Sequence, residues 1–141
     1  MDTGPEMSAD NVQRLRRYYE LLNETGEPAL ELVDPEIEIH MFEGSPIAGP
    51  YKGHDGVRQW CDDTFDVIDA WRVELDDVMS TDDPDVFVVL QRFVGRTKHT
   101  DLVVNFPLAV VVRFRDGLIA RFDGYRERGE ALAAAGIDGE P

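Results

Sequence analysis

Apolar positions change their period along the chain, and the changes mark the elements. From about Ser8 to Asn23, Val12, Leu15, Tyr19 and Leu22 recur at helical spacing, which predicts an amphipathic first helix with Ser8 or Asp10 placed to cap it. "ETGEP" breaks this pattern, and "PALELV" reads as a short second helix with Pro28 in its first turn. The period then drops to two. In "EIEIH", Glu36 and Glu38 alternate with Ile37 and Ile39, His40 takes the next even position, and a strand is expected over Glu36 to Phe42. "EGSPIAGPYKG" is rich in glycine and proline and reads as loop. Helical spacing returns from His54 to Asp69. Val57, Trp60, Cys61, Phe65 and Ile68 form one apolar stripe, with Arg58, Asp62, Asp66 and Asp69 mostly off it.

The second half carries β patterns. Trp71, Val73 and Leu75 alternate with Arg72, Glu74 and Asp76. "TDDPD" is a solvated turn, and the β-prone runs "VFVVLQRFVGR" and "DLVVNFPLAVVVRFR" follow it. "RDG" (Arg115 to Gly117) predicts a tight hairpin into "LIARFDGYR", and "GEALAAAG" predicts a short closing helix with Gly136 as its C-cap. Helices before a run of three or four antiparallel strands define an α+β fold, with helices on one face of a curved sheet and room for a pocket between the layers. One domain over residues 8–136 is expected, with loose tails at 1–7 and 137–141.

Charge narrows the partners. Fourteen Lys+Arg against 29 Asp+Glu give a net charge of −15, which repels phosphate backbones and anionic membrane surfaces. Neither a nucleic acid nor a membrane is an expected partner. The start "MDTGPEMSADN" has no apolar core of a signal peptide, and no apolar run is long enough to span a bilayer, so a cytoplasmic location is expected. Cys61 is the only cysteine; it forms no internal disulfide and reads as a small buried hydrophobe.

The three histidines lack paired ligand spacing, so no metal is expected. His54, in "GHDG", reads as capping or solvating a helix start, and His99, in "RTKHTD", as an exposed residue at a hairpin end. The glycines between Gly49 and Gly56 fit neither nucleotide-binding fingerprint, and no cofactor is implied. An unperturbed imidazole titrates near pH ~6.5, which suits a general base at neutral pH, and His40 is the candidate for that role.

Four stretches, taken in order, resemble the nuclear transport factor 2-like superfamily, and within it the SnoaL-like branch that includes polyketide cyclases and relatives of ketosteroid isomerase. They are "RRYYELLNETG", "LVDPEIEIH", "YKGHDGVRQW" and "FRDGLIARFDGYRERGEALAAAG". The resemblance covers about residues 8 to 136 and implies a cone-shaped curved antiparallel sheet wrapped over N-terminal helices, enclosing a cavity. It also implies a homodimer through the outer sheet face. Matched to ketosteroid isomerase, His40 falls at the general-base position and Tyr18 at the oxyanion tyrosine, while Val110 stands where that enzyme has a protonated acid. Matched to the cyclases, the catalytic histidine and aspartate positions carry Val110 and Gly124, so their aldol mechanism does not carry over.

On this resemblance the chamber is lined by Trp60, Phe87, Val89, Gln91, Phe106, Leu108, Val110, Val112, Phe122 and Gly124, with Arg92, Arg113 and Arg121 on the opposite face. Tyr19 is assigned to packing. The expected activity is acid/base isomerisation, dehydration or cyclisation of an apolar carbonyl compound. His40 would remove a proton and Tyr18 would polarise the oxygen. The alternative is a non-catalytic carrier of a hydrophobic metabolite. An epoxide-opening hydrolase ranks last, because no inward-facing Asp-Arg-Asp trio is visible.

Overall fold

The computed structural model describes residues 4–136 other than 43, 46–48, 99 and 101. His99 and the C-terminal tail lie outside the described residues. Helix α1 runs over Gly4–Thr25. It starts inside the expected tail, with Pro5 tolerated in its first turn. It ends where Gly26, at φ 74°, donates back to the Leu22 carbonyl at 2.8 Å. The expected second helix is only a 3-10 turn at Leu30–Leu32. Strand pairing captures the chain at once: β1 is Val33–His40, with Val33 already opposite Ile119.

The presumed loop contains a short strand, β2 (Tyr51–Lys52), which pairs with β1. Helix α2 is Gly53–Val67, and β3 is Ile68–Ser80. Ile68 and Asp69, expected at the helix end, therefore open a strand, opposite Thr97 and Arg96. Strands β4 (Val86–Thr97), β5 (Val103–Arg115) and β6 (Leu118–Tyr125) follow, then helix α3 (Arg128–Ala134). The β5–β6 hairpin turns on Asp116 and Gly117, both at positive φ (54° and 80°), as a two-residue turn of matching twist requires.

The six strands form one sheet in the order β2-β1-β6-β5-β4-β3, antiparallel except that β1 and β6 run parallel. Register shifts within the β3–β4, β5–β6 and β1–β6 pairs mark irregularities of the bulge kind, which bend a sheet. The curved, unclosed sheet holds α1 and α2 against one face. Ile37, Ile39, Phe87, Val89, Val110, Val112 and Phe122 meet Leu15, Tyr18, Leu22, Val57 and Trp60 there in the main core. Helix α3 departs from the expected arrangement and covers the other face. Its Ala131 and Leu132 pack with Val86, Val88, Ala109 and Val111, which explains why "VFVV" is apolar at every position.

Two asparagines fasten α1 to the sheet. The buried Asn11 donates to the Pro84 carbonyl and to Asp85 Oδ1, both at 3.1 Å. Asn23 donates to the Val73 carbonyl at 2.8 Å and accepts from the Val73 N–H at 2.9 Å, as a neighbouring strand would. Among the described residues no helix is long and apolar enough to cross a membrane.

Candidate functional site

Between α1, α2 and the sheet lies a chamber lined by Tyr18, Tyr19, Leu22, Ile39, Met41, Trp60, Val73, Gln91, Val110 and Phe122. Four of the expected wall residues, Trp60, Gln91, Val110 and Phe122, are there, and so is Tyr18. Phe87, Val89, Leu108 and Val112 lie on the same face but belong to the packed core beside it. Phe87, for example, meets Phe114 edge-to-face at 5.8 Å. The space is narrow. The centres of water-sized molecules have about 30 Å³ available, and all the space between walls and opening comes to about 350 Å³.

The polar groups come from two helices and one strand. Tyr18 and Tyr19 meet edge-to-face at 5.6 Å, and Tyr18 also packs on Phe122 at 5.9 Å. Tyr19 is more than packing. Its hydroxyl donates to Gln91 Oε1 at 2.8 Å, a buried bond between α1 and β4. Gln91 Oε1 is thereby an acceptor already engaged, and its Nε2 keeps two hydrogens to donate. Among the described residues none accepts from the Tyr18 hydroxyl, and none pairs with the buried Trp60 indole nitrogen. Burial holds the Tyr18 hydroxyl well above its ordinary pKa, with Cys61 and Tyr19 adding to the effect, and burial raises Tyr19 as well. Both stay protonated across the neutral range. The Cys61 thiol is pushed up to about 12 by burial, with Asp62 and Glu27 contributing, and is no nucleophile at neutral pH.

His40 is not in this chamber. The pleat of β1 turns Ile37 and Ile39 inward and puts His40 with Glu38 on the outer side, where its Nε2 lies 2.8 Å from Glu38 Oε1. The expected pairing of His40 with Tyr18 over one cavity is therefore not formed. Glu38 lies 3.8 Å from Arg121, which also holds Asp123 at 2.7 Å. Arg92 likewise binds Asp76 at 2.9 Å, and Arg113 donates to the Ala134 carbonyl at 3.2 Å, so all three outer-face arginines have partners within the chain. His54 holds the Val33 carbonyl through Nε2 at 2.9 Å, which ties the start of α2 to β1. Among the described residues no group of three or more His, Cys, Asp or Glu could hold a metal ion.

Gly124 faces the chamber side, and a neighbour takes its space. A Cβ built there would lie 2.5 Å from Met41 Sδ and 3.6 Å from Leu108 Cδ2. Its φ is not in the left-handed region, so glycine serves here for room and not for backbone freedom. Met41 follows the last residue of β1 and is only half-buried. Continuing the alternation of Ile37 and Ile39 through the expected strand would have found it, although β1 itself ends at His40.

A curved, unclosed sheet laid over helices, with an apolar chamber between the layers, is the architecture of nuclear transport factor 2-like proteins. The chain belongs to the SnoaL-like domain family, whose sequence model matches residues 15–122. No curated protein matches it significantly. Among solved structures, it is similar to a nuclear transport factor 2-like protein of unknown function from Burkholderia pseudomallei (TM-score 0.71, 19% identity, 89% of this chain and 97% of that one). It is similar also to a SnoaL-like protein from Jannaschia described as a polyketide cyclase (0.68, 16%, 94% and 94%). A third is a Mycobacterium tuberculosis protein solved in complex with estradiol-17β-hemisuccinate (0.71, 14%, 84% and 95%). At these identities the likeness is one of fold.

Proposed function

We propose that the chamber binds a compact apolar molecule through an accepting oxygen, such as a carbonyl. The observation that carries this reading is the imbalance of its polar groups. Tyr18 Oη, Gln91 Nε2 and Trp60 Nε1 all have hydrogens without an acceptor among the described residues, and the wall offers no carboxylate or imidazole. A buried donor without an acceptor costs roughly 1–3 kcal/mol, which an incoming oxygen recovers. Apolar surface around that oxygen supplies the rest of the affinity. The mycobacterial fold relative that holds an estradiol ester is consistent with an apolar ligand. The free volume admits one or two waters, so a ligand must displace wall atoms. Met41, flexible and at the end of its strand, is the side chain best placed to yield.

Binding without turnover accounts for every group in the wall. Catalysis is the second reading, favoured by Tyr18, whose hydroxyl could polarise a carbonyl in a water-poor site. The base in that reading is His40, which would have to leave Glu38 and reach the chamber side. One experiment separates the two. With butyrophenone as probe, binding is followed by tryptophan fluorescence and exchange of its α-hydrogens in D₂O by NMR. Binding weakened about tenfold in Tyr18→Phe, with no protein-dependent exchange, supports the carrier. Exchange that disappears in His40→Ala supports the enzyme. No saturable binding of the ketone overturns both.

A further inference from the structure

The wall of the chamber continues outward on two strands. Phe106 lies two residues before Leu108 on β5, and Arg126 two residues after Gly124, just past β6. Period two puts Phe106 on the chamber side, one step nearer the end of the sheet where β1 finishes, and the ring contacts bring Arg126 to the same place. Phe42, just past β1, meets Phe106 with ring centroids 5.9 Å apart, and the Arg126 guanidinium stands 5.6 Å over the Phe42 ring. Met41 in the chamber wall is thus followed directly by a packed pair of aromatic rings with a cation laid on one of them.

That cation stands out in a chain of net charge −15. Arg92, Arg115 and Arg121 are held by Asp76, Asp34 and Asp123. Among the described residues no carboxylate pairs with Arg126, although acids are the commoner charge in this chain. A guanidinium on an aromatic face keeps its outward N–H groups available and is held in one place at small entropic cost. A ligand whose apolar body leaves the chamber past Met41 and lies along the packed pair Phe42 and Phe106 would carry its outer end to this point.

We propose that the chamber opens on this side, past Met41, that its mouth is a subsite for an acidic group, and that the ligand is an amphipathic organic anion. Its apolar, oxygen-bearing part occupies the chamber and its carboxylate pairs with Arg126. The assignment rests on the chamber reading above and adds the charge of the ligand to it. It also explains how an acidic protein admits an anion: the rim supplies the local positive charge that the whole molecule lacks.

The test uses two ketones of nearly equal shape, butyrophenone and 4-oxo-4-phenylbutanoate, which differ by a terminal methyl against a carboxylate. Both are titrated into the intact protein at low salt, followed by tryptophan fluorescence. The carboxylate is expected to bind about two- to fivefold tighter, the range an exposed ion pair yields. Arg126→Gln is expected to remove that preference and Arg126→Glu to reverse it, with butyrophenone affinity unchanged within about twofold. Added salt should erase the preference in the unmodified protein. If both ketones bind and their ratio does not move in Arg126→Glu, the subsite is overturned while the chamber stands. If neither binds the unmodified protein, the chamber reading fails and takes the subsite with it.

Discussion

Tyr18 and Tyr19 are neighbours on one helix turn, yet their hydroxyls have opposite situations. Tyr19 has a buried partner in Gln91; Tyr18 has none among the described residues. Tyr19→Phe should therefore cost about 1–3 kcal/mol, because Gln91 Oε1 loses its donor in a closed space. Tyr18→Phe should leave stability unchanged or raise it by up to about 1–3 kcal/mol, because it removes a buried donor that has no acceptor among the described residues. Urea denaturation of both variants checks the contrast. Gly124→Ala, which puts a methyl group against Met41 Sδ, should cost about 0.5–1.5 kcal/mol for turning that side chain aside, and Met41→Ala should abolish most of that cost in a double-mutant cycle. His40 shows how much of the site was legible. The alternation of "EIEIH" already placed it with Glu36 and Glu38 on the polar face, and only the family resemblance moved it inward. The local period was the better guide. Tyr19 was the reverse case: nothing local distinguishes a packed tyrosine from one bonded to a glutamine 72 positions away.

Elements were legible where one physical signal dominated. The Asp116–Gly117 turn and the Gly136 stop follow from backbone geometry that few other residues adopt. Boundaries set by tertiary pairing were not legible. Val33 to Pro35 joined β1, and Ile68 left the helix for β3, because distant strands offered hydrogen bonds there. The same long-range ties make predictions. Asn23 gives edge strand β3 a side-chain partner in place of a missing strand, so Asn23→Ala should cost about 1–2 kcal/mol. Hydrogen exchange should accelerate around Val73 more than in β5. Asp34 joins β1 to the end of β5 through Arg115 at 3.0 Å and accepts from the Glu36 N–H at 2.7 Å. The Arg115 hydrogen bond, then that of Glu36, holds its carboxyl below the usual range. Its contribution is thus full above the unfolded pKa of about 3.9 and lost as pH falls through the lower folded value. Melting temperature should drop below about pH 4, and Asp34→Asn should flatten that drop.

For the molecule as a whole, the fold class was readable because four consecutive antiparallel strands, β3 to β6, follow the two long helices. The parallel pairing of β1 with β6 was not, since its partners are separated by most of the sequence. Titration is also a property of the whole molecule here. All four tyrosines, Tyr18, Tyr19, Tyr51 and Tyr125, have raised pKa values with burial as the leading cause. A raised tyrosine leaves stability intact below its unfolded pKa of about 10 and withdraws it above, where only the unfolded chain ionises. Tyrosinate absorbance should therefore lag behind that of free tyrosine on alkaline titration. For Tyr18 and Tyr19 it should appear together with loss of the near-ultraviolet circular dichroism. A titration with ordinary midpoints in the folded protein would contradict the burial described.

The seat that Gly124 gives to Met41 couples the two positions. A larger residue at 124 and the methionine sulfur compete for one place, so whichever holds it decides where the other points. A polar side chain introduced at 124 would turn the methionine aside and give that stretch of wall a new chemistry on an unchanged backbone.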